Sequence, residues 1–141
     1  NGVGIFGVEM FLSADGELLI NEMAPRTHNS GHYTIDACET SQFEQQLRIL
    51  RGLPLTPTTQ TRHAAMVNLL GAPGYTGATV VEGADGFADS DDVHVHMYGK
   101  LECRHLRKMG HLTALGNTVE QALERARHAA SRITIRGEDS Q

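Results

Sequence analysis

The stretch GVGIFGVEMFLSADGELLINEMAPRTHNSGH, residues 2–32, decides the fold of this chain. Two apolar-rich runs flank an Ala-Asp-Gly sequence at residues 14–16, and Asp-Gly between two such runs is typical of a tight two-residue hairpin turn. With Asp and Gly as the two turn residues, Glu9 lies directly opposite Glu22. The stretch therefore predicts a β-hairpin in which two carboxylates face each other.

The same register assigns each side chain of the hairpin to one of two faces, because side chains alternate along a strand. One face is predicted to carry the two glutamates with Phe11, Leu18 and Ile20, and the other Val8, Met10, Leu12, Leu19, Asn21 and Met23. Like charges directly opposite each other repel, so the pair indicates a cation between them. Mg²⁺ binds carboxylates together with phosphate oxygens, so one interpretation is a metal site against a nucleoside triphosphate. The alternative is an exposed hairpin with two solvated glutamates.

The loop that follows the hairpin, residues 24–32, is crowded with hydrogen-bond donors. Arg26 offers a planar fork that suits phosphate or carboxylate, and the Asn-Ser-Gly sequence at residues 29–31 can present backbone N–H groups to an anion. Thr27 and His32, taken alone, fit solvated loop side chains. As a cluster beside paired carboxylates, the loop predicts an anion-binding site.

Together with later motifs, these residues resemble the C-terminal portion of the carboxyaminoimidazole ribonucleotide synthases, a family of ATP-grasp enzymes in purine biosynthesis. The resemblance follows the chain in order through the runs GVEMF (7–11), NEMAPR (21–26), HNSGH (28–32), TSQFEQ (40–45), YGK (98–100) and RKMGH (107–111). It covers most of the chain and is more specific than a lone glycine motif. It implies an α+β fold, the ATP-grasp C-terminal portion, with a mostly antiparallel sheet and packed helices.

The resemblance also implies an activity. Enzymes of this family use ATP to phosphorylate bicarbonate, and the resulting carboxyphosphate carboxylates aminoimidazole ribonucleotide. The implied cofactors are ATP and Mg²⁺. The implied roles are metal binding for Glu9 and Glu22, nucleotide binding for these two with Phe11 and Asn21, and catalysis for Arg26.

The substrate site follows from the same resemblance. The residues expected to shape the aminoimidazole site are His28, Asn29, Ser30 and Gly31, and those expected to bind the substrate's phosphate are Lys100 and Arg107. These two cations belong to a dense basic cluster at residues 100–108, which by itself fits either a phosphate clamp or a solvated edge. The family usually has Pro-Gly where this chain has His105 and Leu106, which leaves the local turn geometry open.

Periodicity and turn residues outline the rest of the chain. Helices are expected over residues 34–51 and 118–133, and the second begins with a capping-box pattern at Thr118. Strands are expected over residues 63–70, where the apolar run is nearly continuous, and over 93–99 and 108–115, which makes about five strands with the hairpin. We interpret residues 54–61 as a loop and residues 136–141 as a frayed tail. The expected divisions are a metal and substrate half (1–70), a variable loop region (71–92) and a C-terminal sheet and helix (93–136). Within the loop region, Val80 and Val81 could form a short strand.

Composition narrows the function classes. The chain has 141 residues, 40% hydrophobic and 21% charged, which is ordinary for one globular domain. A net charge of −5 argues against a nucleic-acid surface. No apolar run approaches a membrane span and no signal segment opens the chain, so we expect a cytoplasmic protein. Cys38 and Cys103 have no metal or disulfide spacing and are expected to be free thiols.

The first residue is Asn1 rather than Met, and a strand follows within a few residues, which indicates a fragment of a longer protein. The resemblance implies that an N-terminal nucleotide-fold-like domain and a lid over ATP are missing, so we expect the isolated chain to be inactive. It also implies a homodimer in the complete enzyme. Open alternatives are another ATP-grasp ligase, a non-catalytic metal- or phosphate-binding fragment, and a purely structural module.

Overall fold

The structure, a computed structural model, describes residues 2–140 and contains two compact units, divided between residues 61 and 62. Every strand pairing is antiparallel, and helices accompany the sheets in both units. The expected α+β class is therefore confirmed. Within residues 2–140, no helix combines the length and the apolar character needed to cross a membrane.

The first unit consists of a hairpin, a short turn and two helices. Its elements are strands β1 (Gly7–Leu12) and β2 (Leu18–Ala24), a 3-10 turn (Asn29–Gly31), and helices α1 (Thr34–Ala37) and α2 (Gln42–Leu50).

The hairpin turn differs from the prediction. Ser13 N–H donates to the Glu17 carbonyl at 2.9 Å, so the loop has three residues, 14–16, instead of two. Gly16, the last of them, has a φ of 83°, which suits the left-handed residue of a three-residue hairpin loop. The longer loop shifts the register beside it by one residue, and Leu12 pairs with Leu18.

A second irregularity cancels this shift. Met10 pairs with Ile20, whereas Glu9 pairs with Glu22, so Asn21 is the extra residue of a β-bulge. The predicted pairing of the two glutamates is confirmed, although the predicted turn is wrong. The predicted faces of Leu18, Leu19, Ile20 and Asn21 are also wrong, since the three-residue loop shifts the pairing on its side of the bulge by one residue.

The predicted single helix over residues 34–51 is interrupted. Cys38 adopts an extended conformation and bridges to Gln60, and the Thr61 N–H donates to the Ala37 carbonyl at 2.8 Å. These long-range bonds take the chain out of the helix before Ser41 starts α2, where its side chain accepts the Glu44 N–H. The end predicted for the helix over residues 34–51 is confirmed, because α2 ends just before Gly52, which has a φ of 66°.

The second unit contains two three-stranded sheets. Its elements are β3 (His63–Leu70), β4 (Tyr75–Glu82), a 3-10 turn (Ala84–Phe87), β5 (Val93–Met97), β6 (Glu102–Arg104), β7 (Lys108–Gly116), α3 (Val119–Arg132) and β8 (Thr134–Ser140). The strand orders are β3-β7-β5 and β6-β4-β8. Helix α3 packs on β3 and β7, and the core includes Met109, Leu112 and Ala126.

Two expectations for this unit are wrong. Residues 71–92 are expected to be a variable excursion with at most a short strand at Val80 and Val81, but they contain β4, an eight-residue strand at the centre of its sheet. Residues 136–141 are expected to be a frayed tail, but β8 pairs with β4 as far as Ser140, and Gln141 lies outside the described residues.

The β4 sequence, YTGATVVE, has five β-branched or aromatic residues, which favour a strand, but it lies within a region rich in Gly, Ala and Asp. The β8 sequence, TIRGEDS, is mostly polar and becomes a strand through its pairing with β4. The expected β3, the cap of α3 at Thr118 and the free thiols of both cysteines are confirmed.

An ion-pair cluster joins three elements of this unit. The Asp92 carboxylate lies 2.7 Å from Arg62 Nη2 and 2.9 Å from Arg125 Nη2, so it links the start of β3 to α3 next to the start of β5. The hydrogen bond from Arg62 and the charge of Arg125 hold the pKa of Asp92 below its usual range. The carboxylate therefore stays ionised to a lower pH than a free aspartate does, and it pairs with both arginines as long as it is ionised.

The turn before β7 keeps the shape that Pro-Gly favours. The Arg107 N–H donates to the Arg104 carbonyl at 3.0 Å, and Leu106 has a φ of 59°. A positive φ at the third turn residue is typical of a type II turn, in which proline and glycine are preferred at the centre. Gly71 holds the turn from outside, because its carbonyl accepts the Leu106 N–H and its N–H donates to the Arg107 carbonyl.

We expect Leu106→Gly to raise the free energy of unfolding by up to about 1 kcal/mol. A leucine in the left-handed region costs about 1–2 kcal/mol, and the greater freedom of glycine in the unfolded chain offsets only part of this. The Leu106 side chain is 63% exposed, so little packing is lost. Urea unfolding measures the change.

Leu101→Gly is the matched control. Leu101 is 86% exposed and does not have a positive φ, so glycine there should only destabilise. Equal destabilisation by the two substitutions would contradict the strained turn.

Candidate functional site

Three side chains of the first unit converge on one point of the hairpin. His28 Nε2 lies 3.3 Å from Glu22 Oε1 and 3.5 Å from Glu9 Oε1. The three ligand atoms lie within 4.8 Å of one another. His28 is 12% exposed as a side chain, whereas Glu9 and Glu22 are 40% and 55% exposed. The imidazole thus forms the inner side of the cluster, and the carboxylates face solvent.

The bulge adds a fourth member. Asn21 Nδ2 donates to Glu9 Oε2 at 3.2 Å, so the amide lies with the carboxylates instead of on the opposite face. This bond restrains one oxygen of Glu9, while Glu9 Oε1 is the oxygen nearest to His28. The bulge therefore both restores the pairing of the glutamates and orients one of them.

His28 also starts the 3-10 turn. Its Nδ1 accepts the Ser30 N–H at 3.4 Å and lies 2.9 Å from Ser30 Oγ. Because Nδ1 accepts, the proton of the neutral imidazole is on Nε2, which can donate to Glu22 Oε1. Ser30 thereby directs an N–H of His28 toward the paired carboxylates.

Gly7 makes room for this arrangement. A Cβ on Gly7 would lie 2.6 Å from the Cβ of His28, which is too close for two non-bonded carbon atoms. Strand β1 therefore allows His28 to approach only because residue 7 has no side chain. Sequence reasoning gave Gly7 no role, since a glycine within a strand does not indicate which neighbour it admits.

The donor chemistry of the cluster fits a hard divalent cation. Two carboxylates with solvent-accessible oxygens face each other, and oxygen ligands are those that Mg²⁺ prefers. The protonated Nε2 of His28 is a hydrogen-bond donor and not a ligand in this state. Glu9 and Glu22 are therefore the residues of this cluster that could hold a metal.

The other predicted residues of the first unit lie around this cluster. Phe11 follows Glu9 on the same strand face and is exposed. Arg26 is exposed, and its Nη1 donates to the Thr27 carbonyl at 3.0 Å. Asn29 and Gly31 belong to the 3-10 turn that begins beside His28.

Lys100 and Arg107 lie in the second unit. Lys100 Nζ donates to the Lys108 carbonyl and lies 5.7 Å from the centre of the Tyr98 ring. Arg107 Nη1 donates to the Glu102 carbonyl at 2.7 Å. Both cations are therefore oriented by backbone groups of their own unit.

The loop also contains contacts that the sequence did not indicate. His32, which by itself fitted a solvated side chain, is half-buried and lies 5.2 Å from the Phe43 ring. Its Nδ1 lies 2.9 Å from the amide nitrogen of Gln42. Gln42 belongs to the quoted TSQFEQ run, but nothing in that run indicated which backbone groups its amide would contact.

Comparison with known proteins gives consistent matches. Residues 1–43 match the ATP-grasp domain, and residues 64–125 match the phosphoribosylaminoimidazole carboxylase C-terminal domain. The N5-carboxyaminoimidazole ribonucleotide synthase of Bacillus subtilis is 51% identical over 113 residues, which are 80% of this chain and 28% of that protein. The chain spans about a quarter of the length of the curated relatives that it matches.

Solved structures agree with the sequence matches. The N5-carboxyaminoimidazole ribonucleotide synthetase from Thermotoga maritima has a TM-score of 0.89 at 51% identity, covering 96% of this chain and 38% of that one. The N5-carboxyaminoimidazole synthase from Aspergillus clavatus, in complex with ADP and 5-aminoimidazole ribonucleotide, has a TM-score of 0.77 at 32% identity. It covers 91% of this chain and 34% of that one.

We expect Gly7→Ala to lower the free energy of unfolding by about 1–3 kcal/mol, as is usual for a methyl group forced into a packed site. The added Cβ meets the Cβ of His28, which no side-chain rotation can move away. Thermal unfolding measures the loss, and the nuclear Overhauser effects between the His28 ring and Glu22 should weaken.

Gly86→Ala is the control, because a Cβ at Gly86 meets no atom within 4 Å and its φ is ordinary. We expect a change within about 0.5 kcal/mol there. A Gly7→Ala protein as stable as the Gly86→Ala protein would show that His28 does not pack on β1.

Proposed function

Because the chain belongs to the N5-carboxyaminoimidazole ribonucleotide synthase family of ATP-grasp enzymes, we propose that it supplies metal- and substrate-binding residues for the ATP-dependent carboxylation of aminoimidazole ribonucleotide. The observation that carries this proposal is the cluster of Glu9, Glu22 and His28. Two facing carboxylates that share one imidazole N–H suit a site that receives a cation and then anions.

In this proposal Glu9 and Glu22 hold Mg²⁺, and Asn21 orients Glu9 for that role. When bound, the metal supplies positive charge that offsets the phosphate charge of ATP. Phe11 and Asn21 lie on the nucleotide side of the pair. The complex of the Aspergillus clavatus relative with ADP supports nucleotide binding here.

Arg26 is the residue proposed to stabilise the reacting anions. A bicarbonate oxygen attacks the γ-phosphorus of ATP, the bond to the β-γ bridging oxygen breaks, and ADP leaves with carboxyphosphate as the other product. The amine of aminoimidazole ribonucleotide then takes the carboxyl group, and phosphate and a proton are released. A guanidinium in an exposed loop can hold both bicarbonate and the developing charge, since its fork matches either anion.

The remaining residues are proposed to bind aminoimidazole ribonucleotide. His28, Asn29, Ser30 and Gly31 shape the site of the imidazole ring, and Lys100 and Arg107 bind the ribose 5-phosphate. The guanidinium of Arg107 is already oriented by the Glu102 carbonyl, which reduces the entropy lost on binding. A cytoplasmic location and a homodimer belong to the same proposal.

We expect Glu22→Gln to lower bicarbonate-dependent ATP turnover by about 100-fold or more, since a neutral amide removes one metal ligand. The assay uses the full-length protein that carries this chain, and Mn²⁺ binding followed by electron paramagnetic resonance provides a second readout. Glu17→Gln, at the turn of the same hairpin, should leave both unchanged. Near-normal ATP turnover in Glu22→Gln would refute the metal assignment, and turnover independent of bicarbonate would favour another ATP-grasp ligase.

Lys100→Ala should mainly raise the KM for aminoimidazole ribonucleotide, by roughly 10- to 100-fold, the usual cost of one hydrogen bond to a charged group. Its effect on kcat should be small, because the phosphate is remote from the reacting amine. Steady-state kinetics with varied ribonucleotide measures both constants. Arg127→Ala, an exposed cation of α3, is the control. If Lys100→Ala lowered kcat and left KM unchanged, the phosphate role would be wrong.

A further inference from the structure

Gln42, the first residue of α2, holds the backbone of His28 by both of its polar groups. Gln42 Oε1 accepts the His28 N–H at 2.9 Å, and Gln42 Nε2 donates to the His28 carbonyl at 2.7 Å. Two bonds to the same residue fix both its position and its direction. The imidazole that lies between Glu9 and Glu22 therefore depends on an amide that touches neither carboxylate.

The same amide constrains a second histidine. A backbone N–H can only donate, so the Gln42 atom that faces the His28 N–H must be the oxygen. The amide nitrogen therefore faces both the His28 carbonyl and His32 Nδ1, which lies 2.9 Å away. Because this nitrogen can only donate, His32 Nδ1 accepts, and the proton of neutral His32 is on Nε2.

Neighbouring groups keep the Gln42 amide in this orientation. The Gln42 N–H donates to Thr34 Oγ1 at 3.0 Å, and the Thr34 hydroxyl donates to the Gly31 carbonyl. A Cβ on Gly31 would lie 2.7 Å from Gln42 Oε1, so the amide packs directly against the 3-10 turn. The Phe43 ring lies beside the His32 ring.

We propose that Gln42 is a positioning residue that places the His28 imidazole against the paired carboxylates and sets the protonation site of His32. His32 then carries its proton on Nε2, as His28 does through its contact with Ser30, so both histidines have an Nε2–H donor in the loop that is proposed to bind anions. The consequence for turnover rests on the proposed function. The tautomer of His32 does not, because it follows from the contacts of Gln42 alone.

Gln45 on the same helix provides a matched control. Its Oε1 accepts the Thr56 N–H at 3.4 Å, and its Nε2 donates to the Thr56 carbonyl. Gln45 therefore binds the backbone of Thr56, in the loop at residues 54–61, in the same way that Gln42 binds the backbone of His28. Replacing either glutamine removes two hydrogen bonds to the backbone of one residue. Of the two side chains, that of Gln42 is the one that contacts His28 and His32.

The first experiment measures the ring ¹⁵N chemical shifts of His32 by NMR. In the wild type we expect an unprotonated Nδ1 and a protonated Nε2. Gln42→Glu keeps an acceptor for the His28 N–H and replaces the donor that faces His32, so the His32 proton should move to Nδ1. Gln45→Met should leave the His32 shifts unchanged. A protonated Nδ1 in the wild type, or unchanged shifts in Gln42→Glu, would overturn the proposal.

Gly31→Ala tests the same contact without changing Gln42. Its added Cβ should displace the amide, and His32 should then show shifts averaged between the two tautomers. This variant decides the question if Gln42→Glu does not fold. Wild-type shifts in a folded Gly31→Ala protein would show that the tautomer does not depend on Gln42.

The second experiment measures turnover in the full-length protein that carries this chain. Gln42→Met should lower kcat for bicarbonate-dependent ATP hydrolysis by roughly 10- to 100-fold, the usual effect of a small displacement at a reacting centre, with little change in the KM for ATP. Gln45→Met should lower thermal stability similarly and leave kcat within about twofold. Equal kcat values in the two variants would reduce Gln42 to a structural role. A wild type without ATP turnover would count against the proposed function, while the tautomer result would still decide the role of Gln42.

Discussion

Two carboxylates that face each other across a hairpin repel, and the first unit of this chain is built around that repulsion. The His28 Nε2–H lies within 3.5 Å of both glutamates and lowers its cost. The glycine of β1 admits the ring, the bulge at Asn21 aligns the glutamates, and Gln42 fixes the backbone that carries the ring. The glycine, the bulge and Gln42 all act on the same three side chains, Glu9, Glu22 and His28.

The facing glutamates could be predicted from the sequence, but only because two errors cancelled. A two-residue turn and a regular ladder give the same pairing as the three-residue loop and the bulge. The bulge had no local signal, because an asparagine in a strand resembles any polar residue until its bond to Glu9 is seen. Alternation beyond a bulge cannot be predicted from alternation before it.

Elements with strong local signals could be predicted, such as the apolar run of β3 and the capped start of α3. The strand β8 could not, since its polar sequence becomes a strand only through pairing with β4. The break at Cys38 has the same cause, because it depends on a bridge to Gln60. The full length of β4 was missed because Gly, Ala and Asp dominate the residues around it. For the candidate site, the resemblance indicated which residues belong to it. The hydrogen bonds of Gln42 to the His28 backbone became visible only in the three-dimensional structure.

The turn at residues 104–107 has the shape that Pro-Gly favours, although neither of its central residues is proline or glycine. Gly71 holds the turn by donating its N–H to the Arg107 carbonyl and accepting the Leu106 N–H, and a Cβ at Gly71 would lie 2.2 Å from the Arg104 carbonyl oxygen. The residue that fixes the shape of the turn is therefore Gly71, which follows β3 and lies more than thirty positions earlier in the chain. His105 and Leu106 thus occupy a turn that Pro-Gly favours, whereas any side chain at position 71 would collide with the backbone of Arg104. A search that demanded Pro-Gly would reject chains in which this geometry is intact.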